Sequence, residues 1–256
     1  MHAHDFLTPL LPGLYLVATP IGNLGDMTLR ALETLRQAAA IYAEDTRVTR
    51  KLLQHYGITT PLYVYHDQSP MRVYQQITER IRQGEAVALV SDAGTPLISD
   101  PGYRLVATLH QENLPVYSVP GACAVIAALT ISGLPSHGFT FLGFTPSTTQ
   151  MRRRFLAEYC RQSLSLILYE APQRLCGLLE DLALLFPHHD LQNSLLAHLL
   201  AAHNSTDTNA QGLRGYPPAL ILKTAHRQGV SNYSVYTDLG YSMHYSDNSP
   251  AFPHRL

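Results

Sequence analysis

Two carboxylates, Asp92 and Asp100, stand within one stretch of otherwise small, ring-bearing, hydroxyl and aliphatic residues, SDAGTPLISDPG from Ser91 to Gly102. A carboxylate so placed can take a proton from a hydroxyl or face a cationic ligand. Gly94, Pro96, Pro101 and Gly102 allow backbone to approach closely, which gives the stretch the makings of a pocket wall. A second charged group, EDTR, comprises Glu44, Asp45, Thr46 and Arg47. Its acids are further candidates for proton transfer, and Arg47 could hold a phosphate, although Asp45 and Thr46 would serve equally as helix caps. Basic residues gather at Arg47, Arg50 and Lys51, and again at Arg152, Arg153, Arg154 and Arg161. Each cluster alone reads as a solvated helix face; together beside one cleft they would make a phosphate track. His66 and Asp67 have no Ser or Cys nucleophile beside them and read as a loop hydrogen bond. Cys123, Cys160 and Cys176 form no CxxC pair, so reduced thiols are expected, with neither a disulfide framework nor a metal site.

The elements that would position these groups alternate strand and helix. Ala86 to Val90 is a short apolar run of the kind that makes a fully buried strand. The loop after it is expected to open a helix over Tyr103 to Gln111, with Asp100 as N-cap and Pro101 at the first helical position. Leu14 to Thr19, Ala40 to Ala43, Leu62 to Tyr65 and Pro115 to Val119 read as four more strands, each followed by a helical pattern or turn. From Pro120 the run PGACAVIAALTISGLP reads as a buried helix, apolar all round, whose small N-terminal residues leave amides open to a ligand. Phe139 to Phe144, an arginine-bearing helix, Leu164 to Tyr169 and a helix from Pro172 to Phe186 continue the alternation. The class is α/β, with ligands expected outside the carboxyl ends of the strands.

The chain has 256 residues, a net charge of −1, 46% hydrophobic and 14% charged residues, which fits a soluble globular protein and not a strongly basic nucleic-acid binder. No apolar run approaches the ~18 residues a membrane span requires, and the N-terminal residues do not read as a secretory leader, so a cytoplasmic setting without membrane is expected. We divide the sequence into an extension (1–13), an N-terminal α/β domain (14–134), a partial C-terminal α/β domain (135–190) and a divergent tail (191–256) expected to lack order.

The collinear motifs LVATPIGNLGDMTLRALE, AEDTR, SDAGTPLISDPG, VPGACA and LILYEAPQR resemble those of the tetrapyrrole-methylase superfamily. Within it they are similar to the small-subunit rRNA 2′-O-methyltransferase I type. The resemblance covers roughly Leu14 to Phe186. It implies two α/β domains with S-adenosylmethionine in the cleft between them, a homodimer, and methylation of a cytidine ribose in the decoding region of the small (30S-type) ribosomal subunit. Carried over position by position, the cofactor contacts are Pro20, Ile21, Ala93, Gly94, Thr95, Ile98, Cys123, Ala124, Tyr169 and Glu170. Asp92 is the favoured base, Arg47 a second catalytic candidate, and Arg152, Arg153 and Arg154 would grip RNA backbone.

After Asp190 the family pattern stops: its further strand, ARELTK-type motif and closing hairpin have no match. A one-base shift of codons for Glu-Leu-Thr gives Asn-Ser followed by Leu or Pro, and Asn193, Ser194 and Leu195 stand at about that place. A frameshift would leave the second domain incomplete, short of strands and with an unpaired sheet edge. The competing readings are a tetrapyrrole C-methyltransferase on the same fold and a non-catalytic RNA-binding remnant.

Overall fold

The computed structural model describes residues 9–132, 134–162 and 164–186, together with the strands Ala219–Lys223, Tyr233–Tyr236 and Ser242–Tyr245. The chain divides into two compact units, residues 1–123 and 124–256.

In the first unit five strands, β1 (Gly13–Val17), β2 (Ala40–Ala43), β3 (Leu62–Val64), β4 (Ala86–Val90) and β5 (Val116–Val119), form a parallel sheet in the order β3-β2-β4-β1-β5. Helices α1 (Leu29–Gln37), α2 (Thr46–His55), α3 (Met71–Arg82) and α4 (Tyr103–Gln111) connect them. Side chains of β4 sort by the two-residue period of a strand. Ala86, Ala88 and Val90 pack in one apolar cluster with Leu35 of α1 and Leu53 of α2, while Val87 and Leu89 pack in the other with Ile77 of α3 and Leu105 of α4. Both faces are covered, which is why the strand is a continuous apolar run.

Caps fix where the helices begin. Thr28 Oγ1 accepts from the Ala31 amide at 3.1 Å ahead of α1, and Asp45 Oδ1 accepts from the Arg47 amide at 2.8 Å ahead of α2. For α4 the structure corrects the expected cap. Asp100 and Pro101 lie outside the helix, and Gly102, at φ +137°, is the N-cap without a side-chain bond of its own. The carboxylate that meets the Gly102 amide comes from β3's end instead: Asp67 Oδ1 accepts from it at 2.9 Å.

The second unit holds α5 (Ala124–Ile131), β6 (Phe139–Phe144), α6 (Thr149–Ala157), β7 (Ser165–Tyr169) and α7 (Leu175–Leu185), then β8 (Ala219–Lys223), β9 (Tyr233–Tyr236) and β10 (Ser242–Tyr245). The sheet order is β10-β9-β8-β7-β6, parallel between β6 and β7 and antiparallel elsewhere. Leu166 and Leu168 of β7 pack with Leu156 of α6 and with Leu178, Leu179 and Leu182 of α7.

Three expectations are revised here. The tail was expected to be without order from 191 onward, yet it supplies three strands, and β8 pairs with β7 along the whole length of β7; the rest of 187–256 lies outside the described residues. The division into units falls after Cys123 and not near Pro135, because α5 packs with β8. And α5 is not enclosed on every side, since Ile126 and Ile131 are exposed.

Candidate functional site

The loop after β4 is fastened to the ends of β1 and β5. Thr19, just past β1, and Gly94 exchange backbone bonds, Thr19 N to Gly94 O at 2.9 Å and Gly94 N to Thr19 O at 3.0 Å. Thr19 Oγ1 donates to Ser91 O at 3.2 Å, and Ser91 Oγ donates to Gly94 O at 3.0 Å, both buried. On the far side Thr95 Oγ1 donates to Ala122 O at 3.0 Å, tying the loop to the segment after β5. The turn requires glycine at its tip: Gly94 has φ +85°, and a Cβ there would sit 3.2 Å from Ile21 Cγ2 and 3.7 Å from Ala122 O. Two non-glycine residues farther along, Leu97 at φ +73° and Ser99 at φ +63°, also hold left-handed backbone, a conformation that costs energy unless its surroundings impose it.

Of the expected cofactor residues, Pro20, Ile21, Ala93, Gly94, Thr95 and Cys123 are thus gathered at the carboxyl ends of β1, β4 and β5. Ile98 lies in the same loop and is exposed, its amide donating to Thr95 O at 3.4 Å. This is a cradle of backbone and small side chains at the centre of a parallel sheet, the place where open α/β sheets take ligands.

Beside the cradle lie the carboxylates. Asp92 Oδ1 accepts from the Asp45 amide at 3.1 Å, joining the ends of β4 and β2. Burial raises the Asp92 carboxyl above its ordinary value against the pull of that hydrogen bond, and it raises Glu44 as well, with the Asp92 charge adding to it. Asp100 is pushed furthest, to about 7, by burial first and then by the charges of Glu44 and Asp92, with a Ser91 hydrogen bond opposing. Asp45 behaves oppositely, since its bonds with Arg47 hold it at about 2. Arg47 is spent on that pair: Nε reaches Oδ1 at 3.0 Å and a terminal nitrogen reaches Oδ2 at 2.6 Å, on a side chain 84% exposed.

The other expected residues belong to the second unit. Ala124 starts α5. Tyr169 ends β7 with its ring against Phe141 and Phe144. Glu170 is fully buried and its carboxylate is already engaged, accepting from Thr145 Oγ1 at 2.5 Å, from the Ala171 amide at 2.8 Å and from Arg174 Nε at 2.6 Å. The arginine run separates. Arg152 does not face solvent as expected: it is buried, with Nε on Asp181 Oδ2 at 2.6 Å and a terminal nitrogen on Gly177 O at 3.1 Å. Arg153 and Arg154 are exposed.

A family model described as Tetrapyrrole (Corrin/Porphyrin) Methylases matches residues 13–201. The chain belongs to that family. Ribosomal RNA small subunit methyltransferase I of Vibrio cholerae serotype O1 is 48% identical over 171 residues, covering 67% of this chain and 59% of its own length. The protein of the same name from Micromonospora olivasterospora is 40% identical over 243 residues, covering 95% of this chain and 75% of its own. The chain therefore spans less than two thirds of the Vibrio relative. Among solved structures, a cobalamin biosynthetic enzyme, cobalt precorrin-4 methyltransferase, shares the fold at TM-score 0.58 and 15% identity, over 81% of this chain and 93% of that one.

The sequence marks Asp67 as a loop hydrogen bond and Thr19 as the end of a strand, but not their partners, Gly102 for Asp67 and Gly94 and Ser91 for Thr19, which lie far away along the chain. One consequence of the carboxylate cluster is measurable. The folded Asp100 carboxyl sits at about 7 against 3.8 ordinarily, so the folded state holds this proton more tightly. The resulting stability is complete below pH ~4 and is lost as the pH rises through ~7. Asp100→Asn, which cannot ionise, is expected to raise the melting temperature relative to wild type at pH 8 and to gain little at pH 4; an increment independent of pH would show that Asp100 ionises normally in the fold.

Proposed function

We propose that the chain binds S-adenosylmethionine in the cradle around Gly94 and methylates the 2′ hydroxyl of a cytidine in the decoding region of small-subunit rRNA. What carries the reading is the 48% identity to a ribosomal RNA small subunit methyltransferase I over 171 residues. The cradle fits the cofactor chemically. A sulfonium, an adenine and a ribose call for carbonyl oxygens, close backbone and apolar walls, which Gly94, Thr95, Ala122 and Ile21 offer, and the nearby carboxylates suit a positive charge. When bound, the cofactor supplies an electrophilic methyl group. The protein's part is to hold the reacting ribose in line near ~3 Å and to receive its proton. Asp92 and Asp100 are the candidates for that acceptor, Asp100 because a carboxyl near 7 is matched to neutral pH, Asp92 because among the described residues only its Oδ1 is committed, to the Asp45 amide.

The partner we propose is the small ribosomal subunit, met in the cytoplasm by a homodimer. Among the described residues no helix is long and apolar enough to cross a membrane. The deciding experiment incubates the purified full chain and methyl-labelled S-adenosylmethionine with small ribosomal subunits and, separately, with a precorrin. Label recovered as 2′-O-methylcytidine supports the proposal; label on the precorrin overturns it in favour of tetrapyrrole C-methylation. Salt-sensitive RNA affinity without saturable cofactor binding by calorimetry would leave a non-catalytic RNA-binding protein.

A further inference from the structure

Asp181, in the middle of α7, is 1% exposed at its side chain and receives two arginines from consecutive positions of α6. Arg152 Nε meets Oδ2 and Arg153 Nε meets Oδ1, each at 2.6 Å. The two arginines differ in everything else. Arg152 is sealed in, 6% exposed at its side chain, with a terminal nitrogen on Gly177 O, and a Cβ at Gly177 would lie 3.2 Å from that nitrogen. Arg153 is 46% exposed and, among the described residues, its two terminal nitrogens have no partner.

One buried arginine neutralises one buried carboxylate, so the second adds no neutralisation. It keeps its full positive charge while its inner nitrogen is anchored to a rigid, buried oxygen. A guanidinium held this way presents its outer N–H edge with little orientational freedom left to lose, the arrangement suited to a tetrahedral oxyanion. We propose that Asp181 is a positioning residue that fixes Arg153 to receive a backbone phosphate of the RNA substrate, with Arg152 as its internal counter-charge and exposed Arg154 as a second, unanchored phosphate contact. This rests on the rRNA reading above and divides the labour within the arginine run: one residue supports, and two bind.

The test titrates the full chain with a small-subunit rRNA transcript at several salt concentrations. Arg153→Gln is expected to weaken binding several-fold and to reduce the slope of log affinity against log salt by about 0.7–0.9, the loss of one phosphate contact. Arg153→Lys should restore most of the slope and little of the affinity. The double variant Arg152→Met with Asp181→Leu removes both buried charges together, so the fold is retained, as its melting temperature will confirm. It frees Arg153 without discharging it, and is expected to bind several-fold more weakly at unchanged slope, which a merely structural Asp181 would not produce. Wild-type affinity and slope in Arg153→Gln, or wild-type affinity in the double variant, would overturn the proposal. A wild type that binds the transcript but transfers no methyl group to small ribosomal subunits removes only the catalytic reading, whereas one that methylates subunits without salt-dependent binding to the transcript removes only the phosphate contact.

Discussion

Gly94→Val is expected to weaken S-adenosylmethionine binding by about tenfold while the first unit stays folded. The residue has φ +85°, where a β-branched side chain is an outlier, and the new Cβ would press on Ile21 Cγ2 at 3.2 Å. Backbone strain of this kind costs about 1–3 kcal/mol, and tenfold in affinity is ~1.4 kcal/mol, so the effect reaches the cradle even if only part of the strain is relieved there. Relief means turning the backbone on either side of Gly94, whose amide and carbonyl both bond Thr19, at 3.0 and 2.9 Å. The loop would then leave β1, and the carbonyl that Ser91 Oγ also holds would turn away. Gly57→Val separates strain from position. Gly57 has φ +63° after α2, with nothing within 4 Å of a Cβ, so that variant should lower the melting temperature by a few degrees and leave calorimetric affinity as it was. If Gly94→Val bound the cofactor within twofold of wild type, the loop would not be its wall.

Why sequence reading reached this loop but misjudged its exit is a matter of range. The bounds of β4 (Ala86–Val90), α4 (Tyr103–Gln111) and β6 (Phe139–Phe144) are legible because apolar period and flanking glycines are local signals. The cap of α4 is not legible. Asp100-Pro101 has the residue types of an N-cap pair, yet the backbone is bent by left-handed residues at Leu97 and Ser99, and Gly102 takes its carboxylate from Asp67. Similarly, three consecutive arginines look alike in the sequence. What buries Arg152 is a carboxylate on α7, the helix that follows β7, 29 residues away, with Gly177 leaving room beside the guanidinium. The strands β9 and β10 were missed because YSVY and SMHY mix polar and apolar residues without a sustained run, and their pairing depends on β8 lying against β7.

Asp181→Ala should destabilise the second unit by about 3–5 kcal/mol, the usual cost of leaving one member of a buried ion pair without its partner. Arg152 would keep only the Gly177 carbonyl for a buried charge, because its other bond is to Asp181. It could reach water only by opening the contact of α6 with α7, where Leu156 packs with Leu178 and Leu182. Arg153, half exposed, would simply turn to solvent and lose little, so the cost is carried by one arginine and not two. Urea unfolding followed by far-ultraviolet circular dichroism measures it, since the chain has no tryptophan. The same physics predicts the asymmetry with the double variant: Arg152→Met with Asp181→Leu should lose far less than Asp181→Ala, because apolar groups of similar size can replace a buried ion pair at little net cost. Equal losses in the two variants would mean that shape complementarity between α6 and α7, and not charge compensation, is what Asp181 supplies.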